Sequence, residues 1–461
     1  MEGRGPTSGM LLKKEMGRRL AKRLKTPEKL RNLQRKLYLK AKREPDFRFY
    51  LLHDKVYRPD ILEYAYRLCR SRRGSPGVDG VRFEDIEEAG REGWLRDLGK
   101  EVREGRYKPQ PVRRVMIPKA GGGERPLGIP TIRDRVVQTA AKLVLEPIFE
   151  ADFEPNAYGY RPRRSAQDAV RAVEQANWRG ESHVVDADLS GYFDTIPHRE
   201  LMKSVARRIS DGKMLRLIKM WLKAPVEETD ERGRKTLTGG KRAERGTPQG
   251  GVISPLLANI YIHRLLKAWK KFGLEKKLGA RIINYADDLV IVCRTKAGAQ
   301  QAHRWLEWIT RRLGLRLNEH KTSIRNGREE SFDFLGYTFG PRWSVRRGRK
   351  YPGVVPSKKA VAQAKQRIRS VLRPGNMAPA PEVVAMMNRR LEGWANYFSV
   401  GTLNKAYRAV DCYASTQLRQ FLVRRHKTPG RGVRRFSWGY LHQTLGLVCL
   451  EARTRAASRM P

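Results

Sequence analysis

The chain has 461 residues, 40% of them apolar, which is enough for two or three domains with real cores. Its 96 Lys and Arg against 48 Asp and Glu give a formal net charge of +48, a field that suits an extended polyanion, most simply nucleic acid. No apolar run approaches the ~20 residues that span a bilayer, Met1 to Gly9 carry no signal-peptide core, and Cys69, Cys293, Cys412 and Cys449 lie too far apart for a zinc pair and fit a reduced, cytosolic chain.

Residues 1–12 are Gly-rich and predicted to lack structure. From Leu11 to Arg43 basic residues recur with Leu20, Leu24, Leu30, Leu33 and Leu37 at helical spacing, predicting one or two basic amphipathic helices that either face solvent or contact RNA. Phe47 to Leu68 reads as helix, broken at the turn-rich Gly74-Ser75-Pro76-Gly77-Val78-Asp79-Gly80. Val112 to Lys119 and Arg125 to Pro130 read as two strands around an Ala120–Glu124 tip. Lys119 and Arg125 would then project from one hairpin, which is either generically basic or suited to gripping phosphate oxygens. Thr131 to Ala151 is a core helix by its apolar face. Ser165, with Asp168 three residues on, caps a helix from Ala166 to Trp178.

The next two apolar segments carry acids. Val184 to Leu189 is a strand ending in Asp188, and the bend at Ser190-Gly191 re-aims Phe193, five residues further on. Ile282 to Val292 reads as two strands joined by a tight turn with Asp287 and Asp288 at its tip. Taken alone, an Asp-Asp turn is a common solvated hairpin tip. Brought together with Asp188 it would form a dense negative site that needs hard divalent cations such as Mg²⁺, and two such ions serve in-line phosphoryl displacement. Between the acid segments, Thr247-Pro248-Gln249-Gly250-Gly251 offers close backbone approach and the donors and acceptor of Gln249, with a helix starting near Ser254-Pro255.

Ala299 to Leu313 is an amphipathic helix, and Leu315 to Thr322 brings Lys321, either a surface lysine or a general acid. Phe332 to Phe339 is a strand pair centred on Gly336. Three helices follow, 357–372, 381–400 and 403–427. The middle one has Met386, Leu391, Trp394, Tyr397 and Phe398 on a predicted core face. From Arg419 onward there are ten Lys and Arg against the single acid Glu451. Phe436, Trp438 and Tyr440 lie among them, a combination suited to phosphate contact plus stacking.

Tyr285-Ala286-Asp287-Asp288 resembles the signature box of reverse transcriptases. The ordered series of acid strand, Pro-Gln-Gly loop, Tyr-Ala-Asp-Asp turn and Gly336, with Gly393-Trp394-Ala395-Asn396-Tyr397-Phe398 beyond it, is similar to bacterial group II intron-encoded reverse transcriptase/maturases. That resemblance implies an α+β right-hand polymerase: a basic N-terminal extension (1–45), fingers and palm with antiparallel sheet plus helices (46–340), a helical thumb or maturase domain (341–426) and a small basic DNA-binding region (427–461). It implies catalysis by Asp188, Asp287 and Asp288. Two Mg²⁺ ions would be held there with Leu189 added to the metal set. Lys119, Arg125, Phe193, Gln249 and Lys321 would contact the nucleotide, and Tyr285, Gly250, Leu335 and Gly336 the primer and template. An aromatic at 193 implies DNA as product, since a ring under the sugar excludes a 2′-hydroxyl.

The implied function is RNA-directed DNA polymerisation together with binding of a group II intron RNA for splicing and mobility. The implied partners are RNA template, intron RNA, DNA primer or target and deoxynucleoside triphosphates, with no membrane. The implied location is the bacterial cytoplasm, as a nucleoid-associated ribonucleoprotein. Many relatives continue into a metal-dependent endonuclease domain; with the sequence ending at Pro461, target-strand nicking is not expected. The other readings are a domesticated reverse transcriptase in CRISPR spacer acquisition or phage defence, and a splicing-only RNA-binding maturase.

Overall fold

The computed structural model describes residues 24–118, 123–230, 232–344 and 348–457. Leu20 and Lys119 lie outside them. The strands in chain order are β1 (Val112–Pro118), β2 (Glu124–Ile129), β3 (His183–Asp188), β4 (Pro225–Thr229), β5 (Lys235–Gly239), β6 (Ala280–Tyr285), β7 (Asp288–Cys293), β8 (Ser323–Asn326), β9 (Phe332–Phe334), β10 (Tyr337–Ser344) and β11 (Arg349–Pro356). They form three sheets, ordered β2-β1-β4-β5, β6-β7-β3-β8 and β11-β10-β9, and every pairing is antiparallel except β1 with β4. With helices supplying much of the remaining chain, the class is α+β. Chain contacts divide it into two units, one of residues 1–162, 189–272 and 307–317, the other of 163–188, 273–306 and 318–461.

The first unit is built on the Ile132–Glu150 helix, buried along most of its length. Thr131 caps it by accepting from the Asp134 amide. The buried Asp134 carboxylate in turn accepts from the Tyr107 hydroxyl at 2.7 Å and from the Gln110 amide at 3.0 Å. The Glu28–Arg43 helix packs on this core through Leu30, Leu37 and Ala41, leaving its basic face outward. β1 and β2 form the expected hairpin, with Ile117 opposite Arg125.

One expectation fails here. Phe47 to Leu68 is not a continuous helix. Phe49 bridges Ile209 in extended conformation, its amide donating to the Arg208 carbonyl at 2.7 Å. A short helix, His53–Val56, then stops before Pro59 opens the Pro59–Ser71 helix. Proline cannot continue a helix and drives the preceding Arg58 to an extended conformation (ψ 133°), while strand-like pairing satisfies the backbone at Phe49.

The second unit holds the other two sheets. The Ala166–Trp178 helix lies against β6 and β7, closed by the Ser165/Asp168 capping box. β7 is buried at Leu289, Val290, Ile291, Val292 and Cys293, as the central strand of a covered sheet should be. The Lys358–Val371, Ala380–Tyr397, Asn404–Arg425 and Leu450–Ala457 helices pack together, and buried Asp411 accepts from the Leu450 and Glu451 amides at 3.0 and 2.9 Å.

Two details differ from expectation. On the Ala380–Tyr397 helix the core takes Val383, Val384, Met387, Leu391, Trp394 and Ala395. Met386, one residue off this stripe, is only partly buried, and Tyr397 is 37% exposed. In the C-terminal region Phe436 is 3% exposed and belongs to the core, so it offers no face for stacking, whereas Trp438 is 56% exposed. All four cysteines are free thiols. No described helix is long and apolar enough to cross a membrane.

Candidate active site

The sheet of the second unit creates the acid cluster. β6 and β7 pair with Tyr285 opposite Asp288, so only Ala286 and Asp287 form the turn. Ala286 sits in the left-handed region (φ 59°), which costs a non-glycine residue about 1–2 kcal/mol. The turn is held by Asn284, 1% exposed, whose Nδ2 donates to the Ala286 carbonyl at 2.8 Å. β3 lies beside β7 with Asp188 directly opposite Asp288. Directly paired antiparallel residues share a face, with Cβ atoms about 4.5–5.5 Å apart. The two acids, a hundred residues apart in sequence, are thus neighbours.

Asp188 is partly neutralised. Its Oδ2 accepts from Lys321 Nζ at 3.0 Å and Asn318 Nδ2 at 3.3 Å, while the Asn318 amide donates to the Asp188 carbonyl at 2.8 Å. At Asp288 the same cation is outweighed. Burial, then repulsion from Asp287, Asp188 and Asp186, opposed by Lys321, pushes its carboxyl up to about 7. Asp186 is pushed up to about 6, first by burial, then by Asp188 and Asp333 against Arg325. Among the described residues no three or more His, Cys, Asp or Glu side chains already form a metal cage. The donor set is nonetheless right for a hard divalent cation: carboxylates crowded on adjoining strand ends, where burial and then like charge disfavour the bare anions.

Leu335 and Gly336 form the two-residue turn between β9 and β10, both with positive φ (50° and 80°), the primed turn that suits a twisted hairpin. The C-terminal end of the Ala380–Tyr397 helix grips it. The Tyr397 hydroxyl donates to the Leu335 carbonyl at 3.0 Å, the Tyr337 hydroxyl donates to the Tyr397 carbonyl at 2.7 Å, and a Cβ on Gly336 would meet the Phe398 ring at 3.3 Å. Burial, together with Tyr285 and Asp288, pushes the bonded Tyr397 phenol up to about 12.

The first unit holds the remaining candidates. Leu189 is 2% exposed and bridges Leu317, so only its backbone carbonyl could serve as a ligand. The short helix Tyr192–Thr195 sets the Phe193 ring edge-on to Tyr160, 6.2 Å between centroids. Gln249 Nε2 donates to Asp194 Oδ2 at 3.1 Å, and the Thr247 amide donates to the Phe193 carbonyl at 2.7 Å, tying the Pro-Gln-Gly loop to the segment after Asp188. Gly250 has φ 106°, and a Cβ there would run into the Gly128 carbonyl of β2. Arg114, Gly128, Asp194, Arg245 and Gln249 line a cavity of about 330 Å³. Arg125 is exposed on β2.

Residues 117–339 match the family described as reverse transcriptase (RNA-dependent DNA polymerase), and residues 361–438 match the group II intron maturase-specific domain. Protein YkfC of Escherichia coli is 36% identical over 71% of this chain and 93% of its own length. The group II intron-encoded protein LtrA of Lactococcus lactis is 37% identical over 50% of this chain, although that match spans only 36% of LtrA. The chain belongs to the group II intron-encoded reverse transcriptase/maturases. As a reverse transcriptase/maturase it is an RNA-directed DNA polymerase that binds RNA and has a role in intron splicing and mobility. A putative COX1/OXI3 intron 1 protein of Saccharomyces cerevisiae is 28% identical over 70% of the chain and 43% of its own length. Telomerase from Candida albicans is a distant structural likeness, with 13% identity and a TM-score of 0.41 over 83% of this chain and 75% of that one.

Several residues around the acid cluster and the Pro-Gln-Gly loop of this reverse transcriptase/maturase were not foreseen. Asp186 lies two residues before Asp188 on a strand and so on the same face, a period-two signal present in the sequence. Asn284, Asn318, Asp194 and Tyr397 act through contacts that leave no local pattern.

Proposed function

We propose that Asp188, Asp287 and Asp288 hold two Mg²⁺ ions at which the 3′-hydroxyl of a DNA primer attacks an incoming deoxynucleoside triphosphate on an RNA template. What carries this reading is the register that sets Asp188 opposite Asp288 in a chain of this family. Bound divalent ions lower the pKa of the attacking hydroxyl and neutralise charge on the transferring phosphoryl group. The Leu189 carbonyl completes the ligand set. Lys321, poised on Asp188, supplies a proton to the departing pyrophosphate. Lys119 and Arg125 grip the triphosphate, Phe193 blocks a 2′-hydroxyl, and Gln249 reads the sugar or base edge. Tyr285, Gly250, Leu335 and Gly336 seat primer and template.

The basic face of the Glu28–Arg43 helix and the helices of residues 358–425 bind the intron RNA. The basic C-terminal residues around exposed Trp438 contact target DNA. The particle works as a ribonucleoprotein in the bacterial cytoplasm, at the nucleoid. Asp287→Ala combined with Asp288→Ala abolishes cDNA synthesis and leaves RNA affinity near normal; synthesis close to the parent's level overturns the metal assignment.

A further inference from the structure

A surface that none of these assignments uses lies at the end of the Ala166–Trp178 helix, within the second unit. Trp178 is 55% exposed, and its indole stacks on the Tyr351 ring with centroids 6.3 Å apart and planes 19° apart. Tyr351 is held in place by a hydrogen bond between its hydroxyl and that of Thr402 (3.2 Å), and its cross-strand partner on the β10–β11 hairpin is Arg342. Arg349, two residues before Tyr351 on the same strand, shares its face. Arg179 directly follows Trp178, and Arg328 Nη2 lies 3.5 Å from where a side chain on Gly180 would begin.

Single exposed aromatics are ordinary on protein surfaces. This one differs in two respects. The indole is backed flat by a second ring, which fixes it while leaving its outer face open. The rim is cationic: Arg179, Arg328, Arg342 and Arg349 have no ion-pair partner among the described residues, and Arg342 Nε is buried with no hydrogen-bond partner. Unpaired guanidinium groups beside a rigid ring match a nucleic-acid strand, base on the ring and phosphates in the forks.

We propose that the Trp178–Tyr351 stack is a platform for an unpaired base of single-stranded RNA, with Arg342, Arg349, Arg179 and Arg328 taking the flanking phosphates. The platform rests on the chain's being an RNA-binding protein and is independent of the metal assignment.

The test is equilibrium binding of a fluorescein-labelled, unstructured oligoribonucleotide to the full chain. Trp178→Ala weakens binding about five- to a hundredfold, the range of one lost base stack, while Trp178→Phe, which keeps a ring, loses far less. Arg342→Gln lowers affinity and flattens its salt dependence. Ultraviolet crosslinking of the unmutated chain followed by mass spectrometry places a nucleotide adduct on Trp178 or Tyr351, a readout that needs no variant to fold. Affinity unchanged in both Trp178→Ala and Arg342→Gln, or adducts confined to other residues, overturns the proposal. Unchanged affinity with an altered oligomeric state reassigns the face to a protein contact and overturns it as well. The Asp287→Ala/Asp288→Ala variant binds the same oligoribonucleotide as tightly as the parent, so failure here is separable from failure of the polymerase site.

Discussion

Asn284 is the residue on which the geometry of the acid turn depends. Its Nδ2 donates to the Ala286 carbonyl at 2.8 Å from a position only 1% exposed, and Ala286 is held at φ 59°. Asn284→Asp keeps the shape of the side chain but sets an oxygen against that carbonyl. Leaving a buried carbonyl without its donor costs about 1–3 kcal/mol. The strained Ala286 has about 1–2 kcal/mol to gain by leaving the left-handed region, so the loss falls on the turn itself. Since each 1.4 kcal/mol is a factor of about ten, the population with Asp287 and Asp288 correctly set falls by about five- to a hundredfold. In steady-state primer extension kcat falls by that factor while KM for the deoxynucleotide stays within about twofold, because the variant does not touch the nucleotide. Adding Ala286→Gly, which reaches positive φ without penalty, recovers part of the lost kcat. An Asn284→Asp enzyme with the parent's kcat, or a double variant no better than the single, refutes the reasoning.

The other expectations concern separate parts of the molecule. Phe193→Ala removes the ring that packs edge-on to Tyr160 and raises incorporation of ribonucleotides relative to deoxynucleotides, read as the ratio of the two kcat/KM values; an unchanged ratio makes Phe193 plain packing. Gly250→Ala drives a Cβ into the Gly128 carbonyl at a backbone position (φ 106°) closed to alanine, costing about 1–3 kcal/mol of local strain and showing as a raised KM for deoxynucleotide; a silent substitution removes the close approach from the argument. Burial, then Lys267, Arg161, Arg207 and Lys270, lowers the His263 imidazole to about 3 from its ordinary 6.5. It is neutral in the fold but takes a proton on unfolding below pH 6.5, so stability is full above that pH and drops by about 1.4 kcal/mol per unit as pH falls towards 3. Urea midpoints at a series of pH values show this slope, His263→Leu reduces it, and an identical slope in both proteins refutes the attribution.

Much of the local architecture was legible in the chain. The Ser165/Asp168 capping box, the 112–130 hairpin, the helix opening at Ser254 and the turn at Gly336 follow from residue chemistry acting over a few positions. The apolar, β-branched runs around Asp188 and Asp287 announced strands that carry acids at their ends. Where a nearby pattern was contradicted by a distant partner, the reading failed. Phe47–Leu52 has helical composition, but the 208–210 segment takes its backbone bonds, and Phe436 sits in an exposed-looking basic tail yet is buried.

By itself the sequence determined most of the kinds of element present, the strongly cationic character that calls for a polyanion, and the candidate acids. Only the tertiary structure decided that β3 lies beside β7 with Asp188 against Asp288, that Asn284 and Asn318 steady them, and that Trp178 stacks on Tyr351. The reason is that capping, turn and periodicity signals arise from atoms a few residues apart. Strand neighbours drawn from positions 188 and 288 are selected by burial over the whole sheet, which leaves no mark on either segment alone.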